Sequence, residues 1–218
     1  NERAPMAVRI NLSRASPEHY RTMLTEAGLA FRSVAAESAN ALSWGRETLI
    51  LQQPVAVQRL PGYAQGLVSV QDAGAQLAAA VLASDWPAAL DPHRDASAPI
   101  RLLDACAAPG GKFFHLLERC PAFDGVALDS SRTRLETLRR EARRLGHERY
   151  TAIEADATGI EWWDGILFDR ILIDAPCSGS GTLRRHPDIK VLRQAGDLPR
   201  YVKVQLALLQ SLWRVLRP

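Results

Sequence analysis

Asp174-Ala175-Pro176-Cys177-Ser178-Gly179-Ser180-Gly181 sets a carboxylate and a thiol three residues apart in a loop rich in small residues. Pro176 stiffens that loop and removes one backbone donor. A thiol held this way can act as a nucleophile toward an electron-poor carbon. A carboxylic group beside it can hold a proton where negative charge develops. Free cysteines are more often buried and inert, but a Pro-Cys-Ser-Gly loop offers little cover. Two other chemistries fail on residue type. Zinc deaminases need PCxxC with an HxE partner, and Ser180 occupies the second cysteine position. A GxSxG elbow needs glycine at position 178, which is serine.

A second motif, Asp104-Ala105-Cys106-Ala107-Ala108-Pro109-Gly110-Gly111-Lys112, reads as a strand-to-helix turn. Its small residues let a backbone approach a ligand, and the helix that follows aims free N–H groups at it. It is not a phosphate-binding P-loop, because Cys106 replaces the first glycine and Phe113 replaces the Ser or Thr. Nor is it GxGxxG, since its glycines are adjacent. A turn for a ligand without phosphates remains. Asp129 stands where an acid commonly holds ribose hydroxyls. Asp104, Asp129, Asp156 and Asp174 each fall at or near the end of a short apolar run. Four carboxylates at one sheet edge are costly unless they meet hydroxyl, amine or cationic groups, which points to a nucleoside-type ligand. Downstream, Arg184, Arg185, His186 and Lys190 form a basic loop suited to a polyanion's backbone. The seven arginines between Arg132 and Arg149 are interleaved with Glu136, Glu141 and Glu148, and helical i,i+4 pairing accounts for most of them.

The elements that must position these groups are legible from residue 100 onward. Ile100–Leu103, Gly125–Leu128, Tyr150–Ile153 and Ile171–Ile173 are short apolar runs alternating with helical patterns. Such runs predict a parallel sheet covered on both faces, hence a doubly wound α/β domain. The first 60 residues predict a small α+β module: a strand at Val8–Leu12, then a helix capped by Ser16, started by Pro17 and closed by Gly28. Thr48–Val57 reads as one or two further strands. Leu67–Val70 reads as a short strand, Asp72 as the cap of a helix reaching Ala83, and 84–99 as a surface loop. The organisation expected is 1–60 and 61–218.

Composition excludes several classes. With 47% hydrophobic and 23% charged residues the 218-residue chain is an ordinary globular one, and no apolar run is long enough to cross a membrane. Net charge is +3, and 24 of the 27 basic residues are arginine, whose planar fork suits phosphates and base edges. Three scattered cysteines without a CxxC pair argue against a zinc site or disulfide framework. They fit a reducing, cytoplasmic compartment.

DACAAPGGK at 104–112 and DAPCSGSG at 174–181 resemble the RNA cytosine-C5 methyltransferase family. PGYAQGLVSVQDAGAQLA at 61–78 and RRHPDIK at 184–190 resemble its bacterial Sun/Fmu branch, which methylates a cytosine in small-subunit (16S) ribosomal RNA. The resemblance spans about residues 8–218. It implies a Rossmann-like sheet that uses S-adenosyl-L-methionine, preceded by a small RNA-binding module, in a monomer without metal. By position, Cys106, Ala107, Ala108, Pro109, Gly110, Gly111 and Lys112 would line the methionine part of the cofactor. Asp129 would hold the ribose, Asp156 would reach the adenine region, and Asp174 would lie near cofactor and base. Lys112, Asp174 and Cys177 make up the expected catalytic set.

Residue chemistry alone makes Cys177 the nucleophile. The resemblance instead implies a release-assisting thiol, with the nucleophile in a later Thr-Cys motif beyond Pro218 and the sheet's C-terminal strands beyond it too. A tRNA substrate and a cofactor- or RNA-binding scaffold without turnover are the alternatives. Phe113-Phe114 departs from the small polar pair the family pattern implies after the lysine, a change in helix packing rather than chemistry.

Overall fold

The computed structural model describes residues 4–34, 45–84 and 99–218. Strand β1 (Met6–Ile10) is followed by helix α1 (Pro17–Glu26), with Ser16 Oγ accepting the His19 N–H and Pro17 in the first turn. Tyr20 and Leu24, one turn apart, are its buried positions. β2 (Phe31–Ser33), β3 (Thr48–Leu51) and β4 (Val68–Val70) complete an antiparallel sheet of order β2-β3-β1-β4. The sheet extends past the boundary expected at residue 60, because 68–70 returns to pair with β1. Position 61 thus lies within the first module's own architecture. Pro54 ends the strand pattern of 48–57 early, and Val57–Arg59 forms a 3-10 turn.

Helix α2 (Ala73–Leu82) starts at Asp72, whose Oδ1 accepts the Gly74 N–H. Most of the loop expected at 84–99 lies outside the described residues. The second sheet follows: β5 (Ile100–Asp104), α3 (Gly111–Arg119), β6 (Phe123–Asp129), α4 (Arg132–Leu145), β7 (Thr151–Glu154) and β8 (Arg170–Leu172). Every pairing in it is parallel, in the order β7-β6-β5-β8. The chain therefore steps outward from β5 to β7 and then returns to the other side of β5. That reversal opens a crevice at the carboxyl ends of the strands. The β7-to-β8 crossover, 155–169, holds no helix; Trp162 and Trp163 pack it down instead. A one-turn helix α5 (Ile189–Leu192) and the long α6 (Leu198–Trp213) complete the order.

Strand periodicity divides the core. Leu102 and Ala127 face α2, α3 and α4, where Phe113 and Phe114 are buried with ring centroids 5.3 Å apart. Leu103, Val126 and Leu128 face α6 through Leu208 and Leu212. Fully burying a side chain such as Phe113 contributes roughly 1.5–3 kcal/mol.

The two sheets meet across a buried polar seam. Arg9, on β1, donates from Nε and Nη2 to both oxygens of Glu118 on α3, at 3.0 and 2.8 Å. Its Nη1 donates to the Gly111 carbonyl at 2.6 Å and to Gln71 Oε1. Glu47 accepts from Arg119 and lies 3.3 Å from His115 Nε2, while Thr48 Oγ1 donates to Gln76 at 2.7 Å. Breaking a buried pair such as Arg9–Glu118 by removing one partner costs about 3–5 kcal/mol.

Candidate cofactor and base site

The crevice is a cleft of about 350 Å³ lined by Ala105, Cys106, Asp129, Ser130, Arg134, Ala155, Asp156, Ala157, Thr158, Asp174, Pro176, Val204 and Leu208. Four strand ends and α6 thus meet around one volume. The first strand-to-helix turn forms its floor. Gly110 adopts φ +106, and a Cβ there would lie 2.5 Å from the Phe114 ring, so both backbone and packing require glycine. Ala107 donates its N–H to the Leu128 carbonyl at 3.0 Å, binding the turn to β6.

Asp129 is buried at the end of β6 and organises the same turn. Its Oδ2 accepts the Ala108 N–H at 3.2 Å and its Oδ1 accepts the Ser131 N–H at 3.0 Å. Arg134 approaches Oδ2 at 3.4 Å and donates to the Ala108 carbonyl. A carboxylate has about four lone-pair positions, so Asp129 retains capacity toward the cleft. Asp156 is exposed and fixed locally, its Oδ1 accepting from Thr158 N and Oγ1 at 2.9 and 2.8 Å.

Asp104 behaves differently from the other three acids. It is buried behind the turn and accepts the Cys106 N–H at 3.3 Å. Burial, with Asp174 and Asp129 adding to it, pushes its carboxyl up to about 7 against the pull of the Cys106 N–H and Lys112. Burial, reinforced by Asp104 and Asp129, likewise raises the Cys106 thiol to about 11. Cys106 is therefore a neutral wall of the cleft and a poor nucleophile.

The second motif leaves β8 beside this wall. Asp174 Oδ2 is 2.5 Å from Lys112 Nζ, Gln205 of α6 donates to the Pro176 carbonyl at 2.9 Å, and Arg193 Nε donates to the Ser178 carbonyl at 3.0 Å. These bonds present Cys177 as the one exposed cysteine. Arg184, Arg185 and His186 follow on an exposed loop outside the cleft, and Lys190 is exposed on α5. Arg185 reaches back to Asp72 at 2.6 Å, tying that loop to the start of α2.

The sequence-predicted residues thus divide by placement. Cys106, Asp129, Asp156 and Asp174 line the cleft, and Lys112 reaches its rim through Asp174. Ala107, Ala108 and Gly110 are buried in the turn beneath it, while Pro109 and Gly111 are exposed at the start of α3. Ser130, Arg134, Thr158, Val204 and Leu208 also line it and were not singled out from sequence. Arg134 lies five residues past Asp129, in the first turn of α4, the only pattern that could have marked it. Nothing in the sequence marks Val204 and Leu208 beyond ordinary helical spacing.

Residues 87–218 match the family model described as 16S rRNA methyltransferase RsmB/F. The ribosomal RNA small subunit methyltransferase B of Pasteurella multocida (strain Pm70) is 43% identical over 224 residues, covering 100% of this chain and 45% of that protein. This chain spans about half the length of the curated relatives it matches. Among solved structures, a methyltransferase homolog protein from Pyrococcus horikoshii superposes with a TM-score of 0.76 at 25% identity, covering 100% of this chain and 62% of that one. NSun6 from Pyrococcus horikoshii, solved with SFG, gives 0.73 at 19% identity, covering 98% and 73%. Motifs, parallel Rossmann-like sheet and a family match over residues 87–218 agree, and the chain belongs to the 16S rRNA methyltransferase RsmB/F family.

Proposed function

We propose that this chain binds S-adenosylmethionine in the β5–β8 cleft and takes part in methylating C5 of a cytosine in small-subunit ribosomal RNA. The observation that carries the reading is the meeting of Asp174 with the cleft that Asp129 and Asp156 line, three residues before the exposed Cys177. The donor set fits the cofactor. Three carboxylates face the volume against one lining cation, Arg134, a balance that favours a sulfonium, an amine and ribose hydroxyls over phosphates. Asp129 would accept from the ribose hydroxyls, Asp156 would border the adenine end, and Val204 and Leu208 would supply apolar contact. When bound, the cofactor supplies an electrophilic methyl group.

The protein's own groups must make C5 of the base nucleophilic. Addition of a thiolate to C6 with protonation at N3 does so. Asp174 is the group that would hold the proton at N3, stabilising the charge that addition creates. Lys112 keeps Asp174 oriented. The C5 proton then passes to solvent, the N3 proton returns to Asp174 and the thiolate leaves, which restores the aromatic ring. Cys177 is the thiol that assists this release. The base must leave its stack to enter, and the loop of Arg184, Arg185, His186 and Lys190 would hold the flanking backbone. Such a substrate places the protein in the cytoplasm.

The test uses a chain at the full length of the curated relatives. Cys177→Ala should accumulate a covalent RNA–protein adduct on denaturing gels and lose multiple turnover. Normal turnover with no adduct would contradict the assignment. Methyl transfer to small-subunit ribosomal RNA should exceed transfer to tRNA; the reverse preference would overturn the substrate.

A further inference from the structure

The structure departs from the charge pairing expected of α4, and the departure has a use. Its 14 residues carry six arginines and two glutamates, a net +4 against +3 for the whole chain. Glu141 is held by Arg144 at 2.8 Å, and that arginine turns inward onto the Tyr63 ring and the Tyr63 and Val68 carbonyls. Glu136 lies 3.8 Å from Arg132. Arg139, Arg140 and Arg143 are exposed and make no ion pair with any of the described residues. Cations in a last helical turn offset the helix dipole, which explains Arg143 but neither Arg139 nor Arg140.

This basic face does not stop with the helix. Arg149 and Arg14 line a second pocket of about 420 Å³ at the end of α4, together with His147 and Glu148. Arg14, from the first sheet's module, lies so close to Gly146 that any side chain there would meet its guanidinium. At the other end of the helix, Arg134 lines the cofactor cleft. The solvent face of α4, on a helix about 21 Å long, therefore continues toward the first module at Arg14, while Arg134 stands on the opposite flank. Arg139 and Arg143 stand on the solvent face one turn apart.

We propose that the solvent face of α4, continued by Arg149 and Arg14, is a second RNA-contact surface that grips the phosphate backbone away from the target base. The inference rests on the RNA-substrate reading above. Guanidinium forks suit phosphate oxygens, and contacts of this kind position RNA without reading its sequence. Each phosphate neutralised adds about 0.7–0.9 to the dependence of log Kd on log salt.

The experiment titrates this chain with a fluorescein-labelled hairpin of small-subunit ribosomal RNA across a KCl series. It compares the unaltered chain, Arg139→Gln/Arg143→Gln and Arg139→Lys/Arg143→Lys, with S-adenosylhomocysteine binding measured on each sample. The glutamine pair should reduce the salt slope by about 1–2 and weaken RNA binding to a similar degree for unrelated hairpins. The lysine pair should keep most of the slope, and cofactor affinity should be the same in all three. An unchanged slope in the glutamine pair would overturn the surface, as would an unaltered chain that binds no hairpin. Cofactor binding in the same samples keeps either failure separate from that of the methyltransferase reading.

Discussion

Lys112 Nζ lies 2.5 Å from Asp174 Oδ2, so the start of α3 and the loop after β8 are joined at the rim of the cleft. The two residues come from the two motifs most specific in the sequence, and their contact fixes how those motifs face each other. The pair is partly solvated, at 23% and 55% exposure, so its contribution to stability is at most about 1 kcal/mol. Its importance is to the orientation of Asp174.

Lys112→Met should therefore separate activity from stability. In a chain at the full length of the curated relatives, single-turnover methylation should fall by about 10- to 100-fold, in the range of a lost acid–base contribution. The urea midpoint should move by less than about 1 kcal/mol in free energy. Unchanged turnover would remove Lys112 from the catalytic set.

Gly110→Ala tests the turn itself. A left-handed φ of +106 costs a residue with a side chain about 1–3 kcal/mol, and the new methyl would also press on the Phe114 ring. Urea unfolding should show at least that loss, and S-adenosylhomocysteine affinity should fall with it. Wild-type stability would contradict the assigned geometry.

The seam between the sheets gives a third prediction. Arg9→Met or Glu118→Leu alone leaves a buried charge without its partner, a loss of about 3–5 kcal/mol. The double substitution should recover at least half of either single loss. Because Arg9 also holds the Gly111 carbonyl, the singles should weaken cofactor binding as well. Additive losses in the double would show that the pair is not coupled.

Two buried acids set opposite pH dependences. Asp104, raised to about 7 from 3.8, keeps a proton that the unfolded chain has released between those values. Stability therefore falls as pH rises from about 4 to 7 and levels off above, by on the order of 4 kcal/mol in full. Glu47 works the other way. Burial opposes its ionisation, but the bond to His115 and the Arg119 charge hold it down at about 2. Its stabilisation is complete above about 4.5 and is lost as pH falls toward 2. Asp104→Asn should flatten the upper slope of urea midpoints against pH and leave the acid loss in place.

The parallel strands were legible because each is a short run with an aspartate at its end or two residues beyond, and Ser16 and Asp72 were legible as caps. β2 was missed because Phe31–Ser33 is too short for an alternating pattern to register. The helix-free crossover was missed because Trp162 and Trp163 stabilise it through tertiary packing, which leaves no period. The seam was invisible for a related reason: Arg9 and Gln71 find Glu118 and Gly111 only after both sheets form. Local charge spacing misled on α4, where Glu136 lies beside Arg132 and Glu141 is held by Arg144, leaving Arg139 and Arg143 exposed with no ion pair among the described residues. In the site, the acids and thiols were legible by type. Which of them face the cleft was not, since Asp104 differs from Asp129 only in what covers it.

The most direct measurement is calorimetric titration of this chain with S-adenosylhomocysteine, beside Asp129→Ala and an NADH control. Asp129 supports the Ala108 and Ser131 N–H groups, and each buried donor left unpaired costs about 1–3 kcal/mol. One-site binding that weakens at least 100-fold in Asp129→Ala, with no response to NADH, is the expected result. Equal affinity in the two chains, or a preference for NADH, would contradict the cofactor site.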